Sequence, residues 1–348
     1  MKRTSNLSLF FALVLGTAIT GCATDPADDA GDGGDGGGDP GGDAARPLDA
    51  AGRYQLQSQL DLAASVPGTA GEVVNKIIEI TDGPDDPTRW VLDQALAAMP
   101  SGYLKSALQS VEPYVAGYLN DRLLDVAPDF VPVSVQVARD FGQMAKGFGL
   151  NERLEVSGAP GAYTSKVALV GAHFTIGGVE SDHAFADHGL AELAAEPVGV
   201  TLDTGKLGLA EHRFALSYGQ LLRLGLDAAI IPMLEPSAHN LNELFASKVN
   251  CPLIGQLIAS YIGLGGASTF ASACTAGLSR GASYIYGKIA TIDGAALELT
   301  MSGTAKAFDK DRNGSVDTLA TGAWTGTVSY GGSTPAPLAS ATWFGSRM

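Results

Sequence analysis

The chain has 348 residues and a net charge of −15, with 45% apolar and 17% charged residues. This length and this apolar content are enough for one large hydrophobic core or two ordinary ones. The acidic balance, without a stripe of basic residues, argues against a protein that binds nucleic acid.

The N-terminus has the pattern of a secretory signal sequence. Two basic residues precede an apolar run that is too short to span a bilayer in the mature protein. The segment Ile19-Thr-Gly-Cys22 then resembles the lipobox of bacterial lipoproteins. That resemblance implies cleavage of residues 1–21, lipidation of Cys22 and attachment to the outer membrane, because Ala23 is no retention signal. An ordinary cleaved signal peptide is the alternative.

An acidic, glycine-rich segment follows the cysteine. Residues 23–50 contain eight aspartates and eight glycines but no aromatic residue. Such a segment cannot bury enough apolar surface to offset the entropy that ordering would cost, and its like charges favour extension. We therefore interpret residues 22–50 as the lipidated Cys22 and a disordered linker to the head. A calcium-binding repeat is an alternative interpretation of the Asp-Gly run.

Helical and β patterns alternate along the head, residues 51–348. Apolar residues recur at helical spacing over residues 72–148 and 237–290, whereas residues 153–219 and 295–348 contain short alternating or β-branched runs. Strands do not alternate singly with helices in this order. The pattern therefore predicts an α+β fold with antiparallel sheet, in one domain or in two subdomains.

Two features predict specific local structures. The segment Asp203-Thr-Gly-Lys206 lies between two alternating runs, which is typical of a β-hairpin. With Cys22 assigned to the lipid, Cys251 and Cys274 remain, and two thiols in an oxidising compartment are expected to form a disulfide. This bond would join two consecutive apolar helices.

The most specific candidate site is a run of oxygen-bearing side chains near the C-terminus. Asp309, Asp311, Asn313 and Asp317 alternate with other residues around Gly314, which permits a sharp turn. The pattern resembles the nine-residue D-x-D-x-N-G-x-x-D calcium loops that join strands in integrin-like propellers. It departs from the EF-hand, because the twelfth position is an alanine. We expect a structural Ca²⁺ site, with a polar hairpin loop as the alternative.

The densest group of titratable side chains consists of Glu180, Asp182, His183, Asp187 and His188. On a helix, His183 and Asp187 would share a face, as a metal site or an acid–base pair requires. His188 would fall off that face. A polar cluster in a loop is therefore the simpler interpretation.

The sequence contains no complete catalytic triad and no phosphate-binding loop. We therefore expect a non-enzymatic, lipid-anchored protein of the bacterial cell envelope with a structural or ligand-binding role. Apart from the membrane, no partner is indicated. One alternative is a carrier of an apolar or lipid ligand at the membrane. A second alternative is a hydrolase that uses the cluster at residues 180–188.

Overall fold

The computed structural model describes residues 48–62, 66–67, 71–72, 128–263 and 266–348. The predicted signal peptide, Cys22 and the linker up to residue 47 lie outside the described residues. Most of the predicted helical region 72–148 lies outside them as well.

Within the described residues, eleven antiparallel strands form one sheet, and several helices accompany it. This arrangement confirms the predicted α+β class. The strands are β1 (Gly52–Leu60), β2 (Phe148–Ser157), β3 (Tyr163–Ile176), β4 (Val179–Ala184), β5 (Leu193–Ala194), β6 (Val198–Asp203), β7 (Lys206–Leu216), β8 (Leu297–Phe308), β9 (Thr318–Tyr330), β10 (Ala336–Pro337) and β11 (Ala341–Arg347).

Eight of these described strands form a closed ring. Each pairs with the next in the order β1, β2, β3, β6, β7, β8, β9 and β11, and β11 pairs back with β1. Strands β4 and β5 pair with β3, and β10 pairs with β9. The ring follows the chain order. Neighbouring strands β2 and β3, β6 and β7, and β8 and β9 are joined directly, helices lie between β7 and β8, and the strands outside the ring lie between β3 and β6 and between β9 and β11.

Side chains of the ring alternate between its interior and the solvent. In β1, Tyr54, Leu56, Ser58 and Leu60 are buried, whereas the residues between them are exposed or half-buried. This period of two is typical of a sheet with one apolar face. Closure of the ring turns that face into the core of the head.

Glycines in the ring make room for two tryptophans in the interior. A Cβ atom on Gly303 would lie 2.3 Å from the ring of Trp324, and one on Gly322 would lie 2.5 Å from the ring of Trp343. Carbon atoms normally approach to about 3.5–4.0 Å. The two indole rings stack with their centroids 4.9 Å apart. A side chain at either glycine would therefore displace a tryptophan from this stack.

The hairpin predicted at residues 203–206 joins β6 to β7. Asp203 pairs with Lys206, and the two residues between them, Thr204 and Gly205, have φ angles of 46° and 75°. Positive φ at both central residues defines the tight turn whose twist matches that of paired strands. The prediction of a hairpin is therefore confirmed.

Helices precede β2 and fill the connection between β7 and β8. They are α1 (Phe130–Lys146), α2 (Tyr218–Leu224), a π-helix (Gly225–Ile230), α3 (Ile231–Leu234), α4 (Leu241–Lys248), α5 (Cys251–Ile262) and α6 (Ala267–Ile292). No helix among the described residues has the length and the apolar character needed to cross a membrane.

The second helical region starts earlier than the predicted residue 237, because α2 begins directly after β7. The cap of α2 comes from a distant residue: the Oδ1 atom of Asp293 accepts hydrogen bonds from the backbone N–H groups of Gly219 and Gln220, at 2.9 and 3.3 Å. A capping side chain normally precedes its helix directly. Ser217 directly precedes α2 and is a preferred residue type for this position, but its side chain makes no capping hydrogen bond, so Asp293 takes that role.

The predicted disulfide joins α5 to α6. The sulfur atoms of Cys251 and Cys274 are 2.00 Å apart. The two helices also approach closely at Gly255, where a Cβ atom would lie 2.3 Å from the carbonyl oxygen of Ala267. The helix pair is thus held by a covalent bond and by a backbone contact that only glycine allows.

The folded head begins before the end of the predicted linker. Ala50 is fully buried, and the backbone N–H of Asp49 donates to the carbonyl oxygen of Gly314 at 2.8 Å. Residues 48–50 therefore belong to the head and not to the linker. The composition of residues 48–50 resembles that of the linker, and their hydrogen bond to a distant loop leaves no pattern in the local sequence.

Candidate functional site

The loop between β8 and β9 gathers the acidic side chains of the predicted calcium site. Carboxylate oxygens of Asp309, Asp311 and Asp317 lie within 4.8 Å of one another, so this cluster could hold a metal ion. The turn between these residues has left-handed backbone at Arg312 and Gly314, with φ angles of 61° and 90°. Glycine adopts the second conformation without strain.

Asn313, the fourth predicted ligand, is engaged within the loop. Its Nδ2 atom donates to Oδ2 of Asp311 at 2.9 Å, and its Oδ1 atom accepts from the backbone N–H of Ser315 at 2.7 Å. The structure therefore brings the three carboxylates together, and Asn313 is hydrogen-bonded to Asp311 in the same loop.

The cluster at residues 180–188 does not form the helix on which His183 and Asp187 would share a face. It forms β4 and a 3-10 turn, Phe185–His188, because β4 pairs with the end of β3. Successive side chains of a strand point to opposite faces. Asp182 and His183 are therefore directed away from each other, and Glu180 and Asp187 are exposed.

Each side of β4 has its own contacts. The Oδ1 atom of Asp182 is 2.7 Å from Nδ2 of Asn151 and 3.0 Å from Nδ1 of His173. Although partial burial opposes them, these hydrogen bonds lower the pKa of Asp182. The ring of His183 lies against that of His188, with centroids 5.4 Å apart. Burial, together with His188, lowers the pKa of His183.

His188 also lines a cleft of about 510 Å³. The cleft lies between the segment that follows β4 and the helices that follow β7. Strand β6 pairs with β3 only at residues 163–165, so the rest of β3 carries β4 and β5 instead. The cleft has polar and apolar walls: His188, Leu190, Gln220, Arg223, Leu224, Asp227, Ala228, Pro232 and His239.

The wall of the cleft includes the π-helix between α2 and α3. Such wide turns are uncommon and are frequently found at functional sites. A Cβ atom on Gly225 would lie 2.0 Å from Sδ of Met144, so glycine lets this turn pack against α1. The turn presents Asp227 and Ala228 to the cleft, and α2 presents Arg223.

Tyr286 of α6 anchors these polar groups. Its hydroxyl donates a short hydrogen bond to Oδ1 of Asp227 and accepts one from the backbone N–H of Leu241 at 2.9 Å. The Nε atom of Arg223 donates to Oδ2 of Asp227 at 3.3 Å. The guanidinium carbon of Arg223 lies 4.8 Å from the centroid of the Tyr286 ring. Burial raises the pKa of Asp227 despite these hydrogen bonds.

A second polar cluster lies inside the closed ring, and sequence reasoning missed it. Ser58 donates to Oε1 of Glu152 at 2.6 Å and accepts a hydrogen bond from Nε1 of Trp324 at 2.8 Å. Glu152 is completely buried, and this burial raises its pKa to about 7. A buried carboxyl group with a raised pKa holds its proton at a higher pH than an exposed one.

His212 and Trp343 extend this buried cluster. The ring of His212 meets the ring of Trp324 edge-on at 5.4 Å, and its Nδ1 atom lies 3.1 Å from the carbonyl oxygen of Ala210. Burial lowers the pKa of His212. Among the described residues, Oε2 of Glu152, Nε2 of His212 and Nε1 of Trp343 have no hydrogen-bond partner. Buried polar atoms without a partner are rare in native proteins.

The sequence contains one signal that could have revealed Glu152. In β2, Phe148, Leu150, Leu154 and Val156 occupy the inward positions of an alternating run, and Glu152 continues the same phase. A charged residue in the apolar phase of a strand is directed into the core. The signal for His212 is weaker, because a register shift between residues 209 and 212 breaks the alternation of β7.

Glu152→Gln should alter the pH dependence of stability. The pKa of Glu152 is raised from 4.5 to about 7 on folding. Its contribution to stability is therefore complete below pH 4.5 and is lost as the pH rises through 7, by on the order of 3 kcal/mol. Glutamine does not titrate, so the free energy of unfolding of the variant, measured in urea, should fall less than that of the wild-type chain between pH 4.5 and pH 7.

Glu155→Gln is the matched control, because Glu155 lies on the outer face of the same strand beside Arg53. This control should keep the wild-type fall in stability. An unchanged pH dependence in Glu152→Gln would contradict the assignment of a protonated, buried Glu152.

Comparisons with protein-family models, curated proteins and solved structures give no match for this chain. Three features of the chain itself bear on its function: the cleft beside the π-helix, the acidic loop between β8 and β9, and the lipobox-like segment.

Proposed function

We propose that this chain is a non-enzymatic lipoprotein of the bacterial outer membrane whose head binds a small ligand. The observation that supports the binding role is the cleft of about 510 Å³. Small-molecule sites have volumes of this order and combine apolar walls with a few positioned polar groups. The hydrogen bonds and ring contact that fix Arg223 and Asp227 provide such positioning.

The contacts of the titratable groups favour binding over hydrolysis. A general base must lie within hydrogen-bond reach of the proton that it abstracts. Asp182 and His183 point to opposite faces of β4, and both oxygens of Asp227 already accept hydrogen bonds. Neither pair of side chains is therefore arranged as a general base and its partner, which favours a binding role over the hydrolase alternative.

The apolar walls favour a ligand that has an apolar part. Leu190, Leu224, Ala228 and Pro232 line the cleft, and Leu224 is only 6% exposed. Burial of apolar ligand surface against such walls contributes roughly 25 cal/mol per Å². The cleft thus supports the carrier form of the proposal, in which the ligand has an apolar or lipid character.

Filling the cleft should abolish binding of an uncharged apolar probe. We expect N-phenylnaphthylamine to gain fluorescence with the wild-type chain and to lose most of that gain with Ala228→Trp, because the indole would occupy the cleft. Ala290→Trp, at an exposed position of α6 outside the cleft, is the control. Equal fluorescence in both variants would place the probe elsewhere and reject the cleft as the binding site.

The membrane anchor is the second part of the proposal, and the lipobox-like segment supports it. Cys22→Ser should move the protein from the membrane fraction to the soluble fraction, because the sulfur that carries the lipid is removed. Intact-mass measurement of the wild-type protein should show acylation at Cys22. The neighbouring Thr24→Ser variant should stay in the membrane fraction. An unmodified wild-type N-terminus would exclude lipid anchoring.

We further propose that the loop between β8 and β9 binds Ca²⁺ as a structural ion. Hard cations such as Ca²⁺ take carboxylate and carbonyl oxygens as ligands. Asp309, Asp311 and Asp317 supply three carboxylates in reach of one ion. The loop also contacts the first residues of the head, because Gly314 accepts the hydrogen bond from Asp49. A bound ion would therefore stabilise the contact between this loop and the N-terminal end of the head.

Calcium should raise the melting temperature of the wild-type chain, and Asp311→Ala should remove most of this shift. At a concentration of about a hundred times Kd, binding adds about 2.7 kcal/mol to stability. Asp203→Ala, in the hairpin between β6 and β7, should keep the shift. Because the acidic linker is unchanged in both variants, a shift that survives in Asp311→Ala would assign the calcium to another site.

A further inference from the structure

The side chain of Arg223 is fixed in position on two sides. Its Nε atom donates to Oδ2 of Asp227 at 3.3 Å, and its guanidinium carbon lies over the ring of Tyr286, 4.8 Å from the centroid. A long cationic side chain normally loses considerable rotamer freedom when it binds a partner. Here the two contacts within the protein have already ordered the guanidinium group.

The groups that hold Arg223 are themselves anchored. Tyr286 donates to Oδ1 of Asp227 and accepts from the backbone N–H of Leu241, so the phenol connects α6 to the π-helix and to α4. Asp227 thus has one oxygen bonded to the phenol and the other to Nε of Arg223. Its side chain is 23% exposed, whereas that of Arg223 is 61% exposed and lines the cleft.

The terminal amino groups of Arg223 make no hydrogen bond to another described residue. Their parallel N–H groups form a fork that matches two oxygens of a carboxylate or a phosphate group. A fork that is ordered in advance and open to a cleft is suited to bind an acidic group. Gln220, His188 and His239 line the same cleft and offer further polar groups beside it.

We propose that the cleft binds an amphiphilic anion, with its carboxylate or phosphate group on the amino groups of Arg223 and its apolar part against Leu190 and Leu224. This inference rests on the proposed binding role of the cleft and specifies the chemistry of the ligand. The observation that carries it is the open, anchored guanidinium fork next to an apolar wall.

The net charge of −15 does not oppose such local recognition. Charges farther away than about 8 Å are largely screened at physiological ionic strength. The fork acts at hydrogen-bond distance, where geometry and direct contact decide the affinity. Distant acidic residues are expected to slow association with the anion more than they weaken the complex.

The experiment compares ligands that share one alkyl chain but differ in the head group. Decanoate, decyl phosphate and decanol are titrated by calorimetry into the full-length lipoprotein, with inorganic phosphate as the ligand without a chain. We expect one of the two anions to bind roughly tenfold to hundredfold more tightly than decanol, as for a hydrogen bond to a charged group. The tighter anion identifies the head group as carboxylate or phosphate.

Variants of the cleft test the role of Arg223. Arg223→Gln should reduce the affinity for the anion to that for decanol, and Arg223→Lys should give an intermediate value because it keeps the charge without the fork. Gln220→Glu places a negative charge in the cleft without altering the contact with Tyr286, and it should weaken only the anions. Arg213→Gln, at a 78% exposed position on β7, is the control.

The outcomes separate this inference from the proposed function. Equal binding of decanol and both anions in the wild-type chain, unchanged in Arg223→Gln and Gln220→Glu, would overturn the inference and leave the cleft as an apolar site. Binding of N-phenylnaphthylamine that does not respond to Ala228→Trp would reject the cleft itself. If Arg223→Gln fails to fold, the comparison of Gln220→Glu with the wild-type chain decides the question.

Discussion

The rest of the head depends on closure of the antiparallel sheet. Strand β9 pairs with β8 along one edge and with β11 along the other, and β11, the last strand of the ring, pairs with β1, the first. A closed sheet of this size has an interior just wide enough to be filled by side chains. Each inward position therefore has to fit its neighbours. Gly303 and Gly322 leave the space that Trp324 and Trp343 fill.

The buried polar groups lie next to irregularities in this ring. The pairing of β2 with β3 shifts register between Asn151 and Glu152, and the pairing of β7 with β8 shifts between Leu209 and His212. Such bulges redirect side chains and are often conserved for a functional reason. Burial of Glu152 and His212 lowers the stability of their charged forms. The ring tolerates this cost because the surrounding strands fix both side chains.

Features set by a few consecutive residues were predictable from the sequence, and features set by distant contacts were not. The hairpin at residues 203–206 and the clustering of the acidic loop follow from short patterns, whereas the disulfide follows from the number of cysteines that remain to pair. Arg223 is held in place by Tyr286, a residue of another helix, and the N-terminus of α2 is capped by Asp293, which is distant in sequence. The alternation of β2 predicts that Glu152 is buried, but it does not predict that Ser58 is its hydrogen-bond partner.

The closed ring also limits how two molecules can associate. A strand with a free backbone edge can template the pairing of another chain, which is a common route to aggregation. Most strands of the ring have both edges paired along most of their length, although β7 pairs with β6 only over residues 206–209. The strands outside the ring each pair along a single edge. Among the described strands, β4 is the longest of these, and its Glu180 and Asp182 place negative charges at that edge. Like charges on two copies of β4 would repel each other, which opposes the formation of intermolecular sheets in concentrated solution.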